Sequence, residues 1–175
     1  MNIIIGNVIS LIATCFMISS SLVDKRKTLF ILQTINALLL IISSLFLGAY
    51  SGIIALIATA VRNYAISIDK YSKKLMIICT VSTIVFGLIS NNRGIIGFLP
   101  IIATCEYSIC SFYFKGIRET KMSLCINLFL WVMYSISILD ISTALTDFTT
   151  FVITSIYLIK NSKKKNNILP NEDTL

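Results

Sequence analysis

Histidine is absent from this chain of 175 residues, proline occurs only twice, and 13% of the residues are charged. Without histidine, the sequence lacks the commonest general base and the commonest metal ligand. Its five cysteines form no CxxC pair, and its many serines and threonines have no base partner in any catalytic motif. The sequence therefore argues against an enzyme, and it predicts no metal site and no cofactor.

The chain consists instead of successive apolar runs, and 56% of its residues are hydrophobic. Runs of about 17–23 apolar residues can each cross a hydrocarbon core. They predict an all-α, polytopic membrane protein with seven transmembrane helices. The fourth run is short and begins beside two lysines, and without it six spans would remain. The expected spans are 2–23, 28–47, 52–68, 75–91, 94–114, 121–139 and 142–159.

Basic residues alternate along the connections between these spans. They cluster at 25–27, 70–74, 115–121 and 160–165, whereas the intervening connections hold one basic residue in all. By the positive-inside rule, this pattern predicts an N-terminus outside the cell and a cytoplasmic C-terminus. The net charge of +7 is spread over one membrane face, which predicts contact with anionic lipids rather than with nucleic acid.

A repeated phrase suggests that one half of the chain is a copy of the other. IATC occurs at 12–15 and again at 102–105, and an Ile-Asn pair follows each copy, at 35–36 and 126–127. Because both copies open spans that start outside, the repeats are expected to be parallel, with a single helix between them. The predicted parts are a three-helix unit (1–68), a linker helix with its loops (69–93), a second three-helix unit (94–160) and a basic, polar tail (161–175).

Two ionisable residues lie inside predicted spans at matching depth. Arg62 is about 9 Å and Glu106 about 12 Å from the cytoplasmic ends of their helices, at 1.5 Å per residue. A charge at this level should face the interior of the bundle, with a partner or water. We expect Arg62 and Glu106 to pair across the two halves. Alternatively, Arg62 extends to the headgroups and Glu106 is protonated.

Amide and aromatic side chains occur at a similar level. Asn36 and Asn127 stand at repeat-related positions, and Asn63 follows Arg62. Such amides either join neighbouring helices or line a polar cavity. Trp131 lies too deep in its span for an interfacial anchor, so it either stacks on a substrate or packs towards lipid.

Two further positions in the spans are candidates. Asp147, among three threonines, lies nearer the outer side in the last span. Pro100 is the only proline within a span, and it either forms a hinge or merely kinks the helix.

Several short motifs resemble known families. LPIIAT at 99–104, AVRN at 60–63 and LFLWVMY at 128–134 resemble the bacterial inner-membrane family typified by YgjV. The helix plan also resembles those of the SWEET sugar facilitators and the PnuC-type vitamin transporters. These resemblances imply a multi-pass protein of the bacterial cytoplasmic membrane. SWEET-like relatives carry several hinge prolines and a paired asparagine in the third helix of each unit. This chain departs from both features, which argues against a sugar as the substrate.

The sequence thus predicts a facilitator that moves a small polar or anionic solute by alternating access between two helix units. An alternative is a non-transporting accessory or assembly protein, and a vitamin permease is a third option. The expected partners are lipids and a small solute, and a homo-oligomer is compatible with the sequence. The expected solute-binding residues are Asn36, Arg62, Asn63, Glu106, Asn127 and Trp131, and the expected hinge is Pro100.

Overall fold

The computed structural model describes residues 2–166, with side chains up to Lys160. Over this range the fold is all-α, as expected, because long apolar runs satisfy their backbone hydrogen bonds within helices. A 3₁₀ turn, Gly94–Gly97, precedes the fifth α-helix. The helices are α1 (Asn2–Leu22), α2 (Arg26–Leu47), α3 (Tyr50–Ser67), α4 (Lys73–Ile89), α5 (Phe98–Tyr113), α6 (Ile117–Ser137) and α7 (Ile141–Asn166).

The ends of the predicted spans agree with these helices to within a few residues, except at α7. The predicted span ends at residue 159, whereas α7 continues to Asn166. No glycine or proline occurs between residues 160 and 166 to end the helix. The expected boundary between the second unit and the tail therefore falls inside α7, and residues 167–175 lie outside the described residues.

Consecutive helices run antiparallel, and two sets of connections mark the two ends of the bundle. We call the end with the α1–α2, α3–α4 and α5–α6 connections the basic end. There Arg26 donates a hydrogen bond to the carbonyl oxygen of Ser111 at 2.6 Å, and Lys27 pairs with Asp69. The other end, called the opposite end, holds the N-terminus of α1 and the three remaining connections. The basic residues of the three connections thus gather at one end.

Close connections at the opposite end hold the helices in place. Gly48 ends α2 in the left-handed conformation, with φ of 63°, which costs glycine little. At the start of α7, the Asp140 carboxylate accepts hydrogen bonds from the backbone N–H of Thr143 at 3.1 Å and from its hydroxyl at 2.7 Å. Asn7 of α1 donates to the carbonyl oxygen of Leu139 at 3.1 Å, which fixes α1 against this connection.

The distribution of polarity is the reverse of that in a soluble protein. Large aliphatic and aromatic side chains are exposed along all seven helices, whereas many serines, threonines and amides are buried, together with Arg62 and Asp147. An apolar exterior of this extent is stable only against another apolar phase. Within residues 2–166, four stretches are long and apolar enough to cross a membrane: Asn2–Leu22, Arg26–Leu47, Gly94–Tyr113 and Ile141–Lys160.

Six of the helices pack around a common centre. The main contacts run from α1 to α2, α3, α5, α6 and α7 and back to α1, which closes a ring. Helix α4 packs on the outside of this ring, against α3 and α5. The polar side chains that face the centre of the ring are the ones to consider for function.

Candidate functional site

A cavity lies at the centre of the ring. Its volume is about 40 Å³ as measured for the centres of water molecules, and each water needs roughly 10–15 Å³ on this measure. The cavity in this conformation therefore holds a few waters and no larger solute. All six ring helices contribute to its wall, whose polar residues are Gln33, Asn36, Thr59, Arg62, Asn63, Tyr107, Asn127, Trp131 and Asp147.

Arg62 lies in this wall with only 1% of its surface exposed. Its Nε donates to Oδ1 of Asn63 at 3.0 Å, and its Nη1 donates to the carbonyl oxygen of Thr104 at 3.3 Å and to Oγ of Ser108 at 3.1 Å. The guanidinium also lies 4.5 Å from the centroid of the Tyr107 ring. All of these contacts are to neutral groups, so none of them neutralises the positive charge that Arg62 brings to the cavity.

The expected ion pair between Arg62 and Glu106 is not formed among the described side chains. Glu106 instead accepts a hydrogen bond from Oγ of Ser123 at 2.8 Å, and its second oxygen is buried without a partner. On α5, Glu106 lies about 160° around the helix from Ser108, and Ser108 is the residue that faces Arg62. Arg62 and Glu106 were expected to pair because their depths match, but the face of α5 that carries Glu106 is not the face that meets Arg62.

The amides lie around the cavity and are only partly satisfied. Asn127 donates to the carbonyl oxygen of Ala103 at 2.9 Å, whereas the amide of Asn36 contacts only the sulfur of Met17, at 3.9 Å. Gln33 accepts from the hydroxyl of Tyr107 at 3.3 Å, and its Nε2 is buried without a partner. Unsatisfied buried amides are costly, and here they border a space that holds a few waters.

The aromatic residues of α6 have separate roles. Trp131 lines the cavity, and its ring meets that of Tyr134 edge-on, with centroids 5.7 Å apart. Tyr134 is fully buried and packs against Gly52 of α3, where an added Cβ would lie 3.0 Å from the tyrosine ring. A side chain there would require the tyrosine ring to shift by a few tenths of an ångström, and this close contact joins α6 to α3.

Pro100 lies in the first turn of α5, immediately after the 3₁₀ turn. The N–H groups of a first turn have no intrahelical partner, so proline breaks no hydrogen bond there. A hinge and a kink at Pro100 both remain predictions for the junction of the 3₁₀ turn and α5.

Four polar wall residues were not among the expected binding residues: Gln33, Thr59, Tyr107 and Asp147, the last of which was a further candidate. Tyr107 lies on the face of α5 that carries Thr104 and Ser108, because Tyr107 and Ser108 come three and four residues after Thr104. This helical spacing is the sequence signal that could have identified Tyr107 as a wall residue. Of the expected set, Asn36, Arg62, Asn63, Asn127 and Trp131 line the cavity, whereas Glu106 and Pro100 do not.

An all-helical bundle with an apolar exterior and buried polar groups defines a multi-pass membrane protein. The chain belongs to the bacterial inner membrane protein family Imp-YgjV, whose family model matches residues 4–165. The expected relationship to the YgjV family is thereby confirmed, and so is the bacterial inner membrane as its location. No curated protein and no solved structure matches the chain, so the likeness to SWEET and PnuC-type transporters remains a prediction.

Proposed function

We propose that this protein is a facilitator for a small anionic solute, which binds at Arg62 and is released on either side of the membrane by alternating access. The observation that carries the proposal is the buried Arg62 in a cavity whose wall is built by all six ring helices. A buried cation without a carboxylate partner attracts an anion more strongly than it would in water. No catalytic chemistry is proposed.

The proposal includes seven membrane-spanning helices in a 3+1+3 arrangement, with the basic end in the cytoplasm. Two observations support it. Helix α4 packs outside the ring of the other six helices, as a linker between two units would. Asn36 and Asn127, which follow the two IATC segments, each reach back to the preceding helix, to Met17 and to Ala103.

In the proposed cycle, the two units rock about the cavity and open it to each side in turn. The present volume of about 40 Å³ corresponds to a closed state, so solute entry requires the units to separate. Arg62 lies on α3 and its acceptors Thr104 and Ser108 on α5. Rocking would lengthen these hydrogen bonds and leave the guanidinium free for the solute.

Thiol labelling tests whether the cavity opens. In a variant with the five cysteines replaced by alanine, Asn36→Cys, Thr59→Cys and Asn127→Cys place single thiols in the cavity wall. A membrane-impermeant thiol reagent is applied from each side of the membrane, and Ile84→Cys, on an exposed apolar face of α4, is the lipid-facing control. We expect labelling of the cavity positions from both sides and none at the control.

A second candidate function is that of a non-transporting accessory protein, and the small cavity volume favours it. Polar residues would then only join helices, and the interior would stay closed. If none of the three cavity thiols reacted from either side, the facilitator proposal would be wrong and this second reading would replace it.

Glu106→Gln is expected to have little effect, because Glu106 does not pair with Arg62. Glutamine keeps an oxygen that accepts from Ser123, so the free energy of unfolding should change by less than about 1 kcal/mol. Sulfate serves as the test anion, and its binding is measured as a rise in unfolding temperature of the purified protein in detergent. The rise in unfolding temperature caused by sulfate should be the same in Glu106→Gln as in the native protein.

Ser123→Ala is the matched control for this prediction, since it removes the hydrogen bond to Glu106 and leaves the carboxyl group in place. A loss of sulfate stabilisation in Glu106→Gln, but not in Ser123→Ala, would show that Glu106 acts on the anion site.

A further inference from the structure

Asp147 of α7 is a buried carboxyl group without a partner. Only 5% of its surface is exposed, and it borders both the central cavity and a tight polar cluster towards the opposite end. Among the described side chains, Asp147 forms no hydrogen bond and no ion pair. In this respect it differs from Asp140, whose carboxylate accepts three hydrogen bonds.

Three hydroxyls around Asp147 are committed to other acceptors, whereas Oγ1 of Thr150, one turn along α7, is buried without a partner. Thr146 donates to the carbonyl oxygen of Ser142 at 2.7 Å or to Thr14, and Thr14 donates to the carbonyl oxygen of Ser10 at 3.1 Å or to Thr146. Thr143 donates to Asp140. An ionised carboxylate would have no hydrogen bond and no ion pair to compensate its burial in this structure, whereas a protonated carboxyl is neutral and brings its own donor. The surroundings fit the protonated form.

The charged and titratable groups around Asp147 are few. Arg62 from α3 and Tyr107 from α5 share the cavity with it, Asp140 lies at the start of α7, and Cys125 of α6 contacts α7 further along, at Ser155. The remaining polar neighbours from α1, α2 and α6 are uncharged: Ser10, Thr14, Asn36 and Asn127. Arg62 is therefore the one cation in the described cavity wall.

We propose that Asp147 is a proton-binding site that couples a proton to the anion bound at Arg62, an inference that rests on the proposed function. With Asp147 protonated, the cavity wall has a net charge of +1 from Arg62 and attracts an anion. When the O–H bond of Asp147 breaks and its proton passes to cavity water, the carboxylate cancels that charge and disfavours the anion. Proton and anion thus strengthen each other's binding, and this linkage is reciprocal.

Polar groups also connect Asp147 towards the opposite end. The cluster beyond it contains Ser10, Thr143 and Thr146, and Ser10 donates to Asp140 at 2.9 Å. These hydroxyls are donors and acceptors that can pass a proton when water enters between them. The proton is therefore expected to reach Asp147 from the opposite end.

Carbodiimide labelling tests the proton site without any transported solute. Dicyclohexylcarbodiimide reacts with protonated carboxyl groups in apolar surroundings, and mass spectrometry of the purified full chain locates the modified residue. We expect modification of Asp147 that falls as the pH rises and is the same in sodium and choline salts. Asp147→Asn should remove it and leave any modification of Glu106 unchanged.

Two results would overturn the proton site. One is an unmodified Asp147 in a sample whose Glu106 is modified. The other is protection of Asp147 by sodium at constant pH, which would make it a metal-cation site instead. Because this labelling needs no anion, a failed facilitator proposal and a failed proton site give different results.

Sulfate stabilisation at several pH values tests the coupling itself. In the native protein, the rise in unfolding temperature caused by sulfate should be larger below the pH at which carbodiimide labelling of Asp147 is lost. In the isosteric Asp147→Asn variant the rise should be independent of pH, because the group stays neutral. The same pH dependence in both proteins would refute the coupling.

Discussion

Replacing Arg62 with methionine is expected to abolish the stabilisation of the purified protein by sulfate. A hydrogen bond to a charged group contributes about 1.5–3 kcal/mol, which corresponds to a roughly 10- to 150-fold weaker Kd. Methionine removes the buried charge but leaves Oδ1 of Asn63 and Oγ of Ser108 without their donor, so the free energy of unfolding should fall by no more than about 1–3 kcal/mol. Thermal unfolding in a series of sulfate concentrations measures both quantities.

Arg118→Met is the control for Arg62→Met, because it removes the same charge from an exposed position on α6. It should leave sulfate stabilisation unchanged. Equal losses in the two variants would mean that sulfate responds to overall charge, and the site at Arg62 would be refuted.

Asn63→Asp is expected to remove anion binding as completely, although Arg62 stays in place. Oδ1 of Asn63 accepts from Nε of Arg62 at 3.0 Å, and Asn63 is fully buried. A carboxylate at this position forms an ion pair with the guanidinium and takes the place of the anion, with an energy that low polarity increases. The Kd for sulfate should rise at least tenfold, while the unfolding temperature without sulfate is maintained.

Asn63→Leu separates the charge from the hydrogen bond. It leaves the charge of Arg62 but deletes an acceptor, so a buried donor loses its partner at a cost of about 1–3 kcal/mol. This variant should unfold at a lower temperature and still bind sulfate. If Asn63→Asp bound sulfate as well as the native protein does, an anion could not be competing for the guanidinium of Arg62.

The helices were predictable because the apolar runs are long and the breaks between them are polar. The end of α7 was not, because the predicted span stopped where hydrophobicity stops, at residue 159, whereas backbone hydrogen bonding continues to Asn166. Sequence reasoning therefore located the helices better than it located their ends.

The level of the site residues along their helices was predictable from the sequence, but the side of each helix that faces the cavity was not. Residue counting placed Arg62 and Glu106 at one level, yet the rotation of α5 turns Thr104 and Ser108, rather than Glu106, towards Arg62. That rotation depends on the packing of all the ring helices, which no single segment encodes. Asp147 was noticed as a candidate, but its lack of a partner depends on hydrogen bonds within α1 and α7.

The hydrogen bonds of Arg62 also bear on how the protein is made. Its acceptors on α5, Thr104 and Ser108, come 42 and 46 residues later in the chain. At roughly 5–20 residues per second, a ribosome needs about 2–9 s to reach them. During that interval α3 holds an arginine whose two partners on α5 have not yet been synthesised. The guanidinium of Arg62 must therefore be kept out of the lipid, in the insertion machinery or at the membrane surface, until α5 is synthesised.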